Sequence, residues 1–161
     1  MEKPIFVFTG VIIKEDEIKK VEGFLSSKDF IVFALLFGSF AEGKAMDTSD
    51  VDLGIYVERD ISILEYGDLI SQLQSLTGRR VDLIILNNLY EENPRFAYQI
   101  ISQGRLLFTK SENLWADYKR KVFLYYFDAE PMLKMINKSF SMRIEEGKIG
   151  QRNFVGKAKS S

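Results

Sequence analysis

The sequence predicts a single α/β (α+β) domain, with a mixed central sheet flanked by helices and a helical C-terminal extension. The length of 161 residues is close to that of one average domain. Hydrophobic residues make up 46% of the chain and there are only three prolines, a composition typical of a packed globular protein. Short apolar runs alternate with segments whose apolar residues recur every three or four positions, which indicates alternating strands and helices.

The first third of the chain is predicted to hold one helix between extended segments. Residues 5–8 and 11–13 are apolar and extended in character. From Glu15 onward acidic residues fill an opening turn and apolar residues recur at helical spacing, so a helix begins there. Residues 30–37 form an unbroken apolar, aromatic and β-branched run, which is typical of a buried central strand. After a polar loop, a second strand is expected over residues 51–57.

The remaining elements follow from helix-end signals and further apolar runs. Apolar residues at helical spacing predict a second helix that ends at the C-cap Gly78, and residues 80–86 predict a third strand. Asn93 and Pro94 open a short helix that Gly104 closes, and an edge strand should follow over residues 105–108. Ser111 then caps a long helix, which Pro131 is expected to kink or restart.

The chain contains no internal repeat and no linker, so we expect one domain over residues 1–147. Its core spans about residues 15–110, and residues 111–147 form the helical extension. Residues 148–161 turn polar and are expected to be a frayed tail.

The charge balance and two missing residue types exclude several classes of protein. The net charge of −1 argues against strong nucleic-acid binding, because counterion release requires an excess of basic residues. The absence of Cys excludes disulfides and thiolate catalysis, and the absence of His excludes a Ser–His–Asp relay and the usual zinc sites. No apolar run is long enough to cross a bilayer. We therefore expect a cytoplasmic enzyme or binding module.

Two aspartates at the start of the second predicted strand form a candidate metal site. Asp50 and Asp52 are two residues apart, so both side chains point to one face of a strand. Neighbouring carboxylates repel each other unless a cation lies between them. Without His or Cys, that cation should be a hard one, Mg²⁺ or Mn²⁺, held by oxygen. Asp82, in the third predicted strand, joins the group if the two strands are neighbours.

Gly38 and Ser39, directly after the buried strand, form a candidate phosphate site. Glycine lets the backbone turn sharply towards a phosphate, while the Ser hydroxyl and the following N–H groups donate to its oxygens. Each piece alone is commonly structural, because Gly-Ser often forms a turn and Asp-x-Asp often caps a loop. Together, phosphate donors that face paired carboxylates are typical of metal-assisted nucleotidyl transfer.

The run from Gly38 to Leu53, GSFAEGKAMDTSDVDL, resembles the signature of the minimal nucleotidyltransferases (MNT) of the DNA polymerase β superfamily. That signature consists of Gly-Ser, a ten-residue spacer containing Ala-x-Gly, and Asp-x-Asp-Leu. The resemblance implies a nucleotidyltransferase fold, ATP as substrate and Mg²⁺ (or Mn²⁺) as cofactor. It implies three catalytic and metal-binding carboxylates and a set of triphosphate-binding residues, namely Asp50, Asp52 and Asp82, and Gly38, Ser39 and Lys44.

Residues 128–133, DAEPML, follow an aromatic-rich helix and resemble the C-terminal helix of the longer members. In that subgroup, the MntA-type antitoxins, the enzyme transfers AMP from ATP to a tyrosine of a HEPN-domain toxin. The resemblance therefore implies such a toxin as partner. Two alternatives stay open: an adenylyltransferase acting on a small molecule such as an aminoglycoside, and a non-catalytic module that blocks its partner sterically. A homo-oligomer is also left open.

Overall fold

The computed structural model describes residues 7–8, 11–12, 15–39, 41 and 49–145. The chain falls into two compact units, residues 1–126 and 127–161. The elements, in chain order, are β1 (Val7–Phe8), β2 (Val11–Ile12), α1 (Glu15–Ser26), β3 (Ile31–Phe37), β4 (Val51–Val57), α2 (Ile63–Thr77), β5 (Val81–Ile85), α3 (Leu89–Glu92), α4 (Pro94–Gln103), β6 (Arg105–Thr109) and α5 (Glu112–Glu145).

The central sheet has four strands in the order β5-β4-β3-β6. Strand β3 pairs antiparallel with β4 and with β6, whereas β4 pairs parallel with β5. The predicted mixed sheet is therefore confirmed, and so is the position of β6 at an edge. Strands β1 and β2 form a separate antiparallel pair.

Helices α1 and α2 cover one face of the sheet. Their buried residues belong to the apolar series whose helical spacing predicts the two helices. They are Ile18, Val21 and Leu25 of α1 and Leu69 and Leu73 of α2. At the end of α2, Gly78 adopts the left-handed conformation expected of a C-cap (φ 67°). Beyond it, the Arg79 guanidinium lies 3.5 Å from a carboxylate oxygen of Glu17 and so links this loop to α1.

Helix α4 and the first part of α5 cover the opposite face. Their buried residues there are Ala97 and Ile100 of α4 with Tyr118 and Val122 of α5. The Tyr118 hydroxyl donates a hydrogen bond of 2.6 Å to the Leu86 carbonyl, which anchors α5 at the end of β5. Gly54 leaves room for the buried Leu86 side chain, because a Cβ atom there would lie 2.8 Å from a methyl group of Leu86.

Two features differ from the sequence-based expectations. Helix α3 was not predicted, because it is a single turn without a buried residue and so leaves no apolar periodicity. A restart of the helix at Pro131 is also absent, since α5 runs from Glu112 to Glu145 with Pro131 inside it, and the alternative of a kink stays a prediction. Proline removes only one backbone hydrogen bond from the helix, and the other backbone hydrogen bonds of its 34 residues are sufficient for the helix to continue.

The second unit contains the later part of α5, which is described up to residue 145. The predicted tail over residues 148–161 lies outside the described residues, and the predicted domain limits stay predictions. None of the described helices is long and apolar enough to span a membrane.

Candidate active site

The strand register brings three of the predicted site residues, Gly38, Asp52 and Asp82, to one end of the sheet. Asp52 in β4 pairs with Asp82 in parallel strand β5, and on its other side it pairs with Phe37, the last residue of β3. Gly38 follows Phe37 directly, so the glycine, Asp52 and Asp82 lie side by side across three neighbouring strands. Because residues two apart share a face of a strand, Asp52 lies on the side covered by α4 and α5, like Gly54.

Gly38 makes room for the Asp52 carboxylate. Its φ of +73° lies in the left-handed region, which side-chain-bearing residues rarely adopt. A Cβ atom at this position would lie 2.1 Å from Oδ2 of Asp52, closer than any non-bonded contact allows. The glycine therefore has two roles in this structure: it lets β3 end in a sharp turn, and it lets a carboxylate rest against the backbone of that turn.

The Asp52 carboxyl group is strongly perturbed. Its pKa rises from 3.8 to about 6, chiefly because burial disfavours the charged form. The negative charges of Asp82 and Asp50 raise the pKa further, as does a hydrogen bond between the Asp52 and Asp82 side chains. Such a pair is stabilised either by a shared proton or by a cation that neutralises both carboxylates.

The structure brings together fewer carboxylates than the sequence predicted. Asp52 and Asp82 are in direct contact, and Asp50 acts on Asp52 through its charge. Within the described residues, however, no group of three acidic side chains is placed so that it could hold a metal ion. A metal site formed by all three carboxylates therefore stays a prediction.

The remaining predicted site residues are placed only in part. Ser39 follows Gly38 and is half-buried at the same end of β3. Lys44 lies outside the described residues. The phosphate-binding roles of Gly38, Ser39 and Lys44 stay predictions.

The donor set fits a hard divalent cation. The groups in contact are carboxylates, the chain has no His or Cys to compete for a softer metal, and the repulsion that raises the pKa of Asp52 is what a cation relieves. Asp52 and Asp82 would provide the central ligands, and Asp50 is the nearest further acidic group in sequence.

A cleft of about 560 Å³ opens beside the carboxylates, a size within the ordinary range of ligand sites. Gly38, Asp52 and Asp82 line this cleft, and so do the exposed side chains of Gln99 and Gln103 on α4. Sequence reasoning missed both glutamines. Exposed amides on an amphipathic helix give no signal of their own, although their i, i+4 spacing on α4 could have placed them on one face.

Comparisons with known proteins identify relatives of this site. A family model described as polymerase beta, nucleotidyltransferase matches residues 19–113. Protein adenylyltransferase MntA of Thermococcus cleftensis is 39% identical over 54 residues, which cover 34% of this chain and 54% of the relative. A Methanocaldococcus jannaschii protein named as a candidate protein adenylyltransferase is 33% identical over 73 residues, covering 45% and 74% respectively. The chain thus spans about half the length of the first relative and three quarters of the second.

Solved structures share the fold. A complex of tri-AMPylated Shewanella oneidensis HEPN toxin with MNT antitoxin matches with a TM-score of 0.58 at 16% identity, over 78% of this chain and 98% of the compared chain. A toxin–antitoxin complex with AMP-PNP matches with a TM-score of 0.51 at 19% identity, over 83% and 97%. At these identities the likeness shows the fold alone.

Proposed function

Because this chain belongs to the polymerase beta nucleotidyltransferase family, we propose that it is a Mg²⁺-dependent adenylyltransferase that transfers AMP from ATP to a protein. We further propose that the acceptor is a tyrosine of a HEPN-type toxin, so that the chain acts as its antitoxin. The observation that carries the proposal is the contact of Asp52 with Asp82 beside Gly38, at the mouth of a cleft.

ATP as substrate is supported by the fold shared with a toxin–antitoxin complex that contains AMP-PNP, an ATP analogue. In this chain Gly38 and Ser39 lie at the end of β3, where backbone N–H groups and a hydroxyl would bind the phosphates of ATP. Asp50, Asp52 and Asp82 would hold Mg²⁺, which when bound supplies positive charge to the phosphate oxygens and to the leaving group.

The transfer is a displacement at the α-phosphorus of ATP. The phenolic oxygen of the acceptor forms a bond to the α-phosphorus, the bond from that phosphorus to the bridging oxygen breaks, and pyrophosphate leaves. The phenolic proton passes to a carboxylate oxygen of Asp82. The role of the chain is to align the two reactants and to stabilise the charge that develops on the phosphate oxygens and the leaving group, as in other phosphoryl transfers.

The protein acceptor is supported by the names of the relatives. The curated relative with 39% identity is a protein adenylyltransferase, and one structural neighbour is a complex with an AMPylated HEPN toxin. A tyrosine provides the hydroxyl nucleophile that the reaction requires, and one AMP added to a toxin changes both its charge and its bulk.

The proposal is tested by label transfer in vitro. The purified chain, a HEPN-domain toxin from the same genome and α-labelled ATP should give labelled toxin with Mg²⁺ and none with chelator. Asp82→Asn should lower the rate by at least ~10²-fold, since losing one electrostatic stabiliser of a transition state typically costs that much. Asp68→Asn is the matched control, because Asp68 is an exposed acid on α2 that accepts a hydrogen bond from the Gln72 side chain and is not among the residues that line the cleft. Equal label transfer by the wild-type chain and Asp82→Asn would contradict the proposal.

A further inference from the structure

Strand β5, which carries Asp82, is an edge strand of the described sheet, and side chains of α2 bond to its backbone. The Gln74 amide oxygen accepts a hydrogen bond of 3.2 Å from the Val81 N–H. The Tyr66 hydroxyl donates a hydrogen bond to the Leu83 carbonyl. Helix α2 therefore bonds to the residue directly before Asp82 and to the residue directly after it.

The alternation of backbone groups along a strand places both hydrogen bonds on the open edge of β5. Successive residues of a strand turn their N–H and C=O groups towards opposite edges. The Arg80 carbonyl and the Leu86 N–H bond to backbone groups of β4, so the even-numbered residues of this segment, Asp82 among them, face β4. Val81 and Leu83 therefore face the edge at which the described sheet has no further strand, and side chains of α2 bond to them there.

The position of the Asp82 carboxylate depends on how firmly β5 is held. The Asp82 side chain is exposed, and it shares a hydrogen bond with the side chain of Asp52. Exposed backbone at the edge of a sheet opens more readily than backbone in its interior, because fewer buried contacts oppose the movement. The side chains of Val81 and Leu83 are buried in the same core cluster as residues of α2. Helix α2 thus fixes both neighbours of Asp82 through packing and through hydrogen bonds.

We propose that Tyr66 and Gln74 are positioning residues, which hold β5 in the register at which the Asp82 carboxylate lies against Asp52. This assignment rests on the proposed function, because it treats Asp82 as a catalytic group. A displacement of about 1 Å can lower an enzymatic rate by up to ~10²-fold, so a hydrogen bond on each side of Asp82 has a consequence for the rate. Tyr66 lines the cleft, whereas Gln74 is not among the described residues that do. A loss of rate on changing Gln74 is therefore not explained by a lost ligand contact.

Steady-state label transfer to a HEPN-domain toxin tests this role. Tyr66→Phe removes only the hydroxyl, and Gln74→Met removes the acceptor oxygen but retains the length of the side chain and a good helix former. The double variant should lower kcat about tenfold, the lower end of the range for residues that orient a metal-binding group, and leave KM for ATP unchanged. Gln74→Met alone should lower kcat as well. A raised KM for ATP with an unchanged kcat would show that the Tyr66 hydroxyl binds the nucleotide, and would overturn the assignment.

Two matched controls lose the same chemical groups at other places. Gln72→Met changes an amide on the same helix that donates to Asp68. Tyr118→Phe removes a tyrosine hydroxyl that donates to the Leu86 carbonyl, beyond the end of β5. Both controls should leave kcat unchanged, even where the free energy of unfolding falls. A loss of kcat in Tyr118→Phe as large as in the double variant would overturn a specific role for the two α2 residues.

A double-mutant cycle shows whether the two residues act through Asp82. In the Asp82→Asn background the carboxylate that they position is gone. Adding Tyr66→Phe and Gln74→Met there should lower the residual rate far less than it does in the wild-type background. A general loosening of the fold would lower the rate by the same factor in both backgrounds, and equal factors would overturn the assignment.

Binding of Mn²⁺, measured by calorimetry without ATP or toxin, tests the positioning independently of the reaction. Misplacement of Asp82 should weaken Mn²⁺ binding by the double variant about tenfold, as for other residues that orient metal ligands. An unchanged Mn²⁺ affinity would overturn the positioning role. Absence of AMP transfer by the wild-type chain, together with weaker Mn²⁺ binding by the double variant, would overturn the proposed function and support the positioning of Asp82.

Discussion

At the scale of single residues, Asp52 is held in place at a cost in stability. Its carboxylate lies against Gly38 and in contact with Asp82. Burial and the neighbouring negative charges disfavour its charged form and raise its pKa to about 6. A carboxylate with such a perturbed pKa is typical of functional sites, because a position with only a structural role would favour a neutral side chain.

This cost predicts how the stability of the metal-free protein depends on pH. The folded-state pKa of Asp52 lies above its ordinary value of 3.8, so the folded state binds more protons between pH 3.8 and about 6. The contribution of Asp52 to the free energy of unfolding therefore falls as the pH rises through that window. Asp52→Asn should remove this pH dependence and, after allowance for screening by water at this partly exposed group, stabilise the protein at neutral pH by about 1 kcal/mol.

Urea unfolding of both proteins with chelator, at pH 5 and at neutral pH, measures the difference. Asp68→Asn, an exposed change on α2, provides the baseline for removing a charge. If the wild-type and Asp52→Asn proteins lose or gain stability in parallel between the two pH values, the account of a perturbed Asp52 is wrong.

At the scale of elements, the ends of β3 and α2 provide a matched pair of glycines. Gly38 and Gly78 both have a positive φ, of 73° and 67°. A Cβ atom at Gly78 would meet nothing within 4 Å, whereas at Gly38 it would collide with Asp52. Gly78→Ala should therefore cost only the backbone strain, about 1 kcal/mol of unfolding free energy, and leave AMP transfer intact.

Gly38→Ala carries the same strain and in addition displaces the Asp52 carboxylate, which we propose to be catalytic. We expect it to lower AMP transfer by about two orders of magnitude, comparable with removal of an electrostatic stabiliser. Parallel unfolding and label-transfer measurements on the two variants separate strain from displacement. A Gly38→Ala protein with the activity of Gly78→Ala would show that Asp52 does not depend on the glycine.

The helices and strands also show which sequence patterns were sufficient to predict an element. Helices α1 and α2 and strands β3 to β5 could be predicted because burial on one face or on both leaves an apolar pattern, and the Asp-x-Asp of β4 stands out against it. Helix α3 buries nothing and so leaves no pattern. The pairing of β4 with β5 brings Asp82 to Asp52. Because this pairing is a contact between distant parts of the sequence, we could predict only that Asp82 would join Asp52 if the two strands were neighbours.

At the scale of the whole molecule, the proposed phosphate-binding residues and the acids meet at one end of the sheet. Strand β3 ends at the residues that we assign to phosphate binding, Asp52 and Asp82 lie on β4 and β5, and α4 lines the cleft beside them. The spacing of Gly-Ser and Asp-x-Asp in this arrangement could be recognised from the sequence, because a fixed spacing of rare residue combinations identifies it. The contribution of Gln99 and Gln103 to the cleft could not, because it depends on how α4 packs on the sheet.

The central claim, that the chain modifies its partner covalently, is tested most directly by intact-mass spectrometry. A HEPN-domain toxin from the same genome is co-expressed with the wild-type chain or with the Asp50→Asn/Asp52→Asn variant, and growth is followed in the same cultures. We predict that the toxin gains the mass of one or more AMP groups on tyrosine only with the wild-type chain, and that growth is rescued only there. An unmodified toxin in cultures that the wild-type chain and the variant rescue equally would contradict the claim and show that the chain acts by steric blocking.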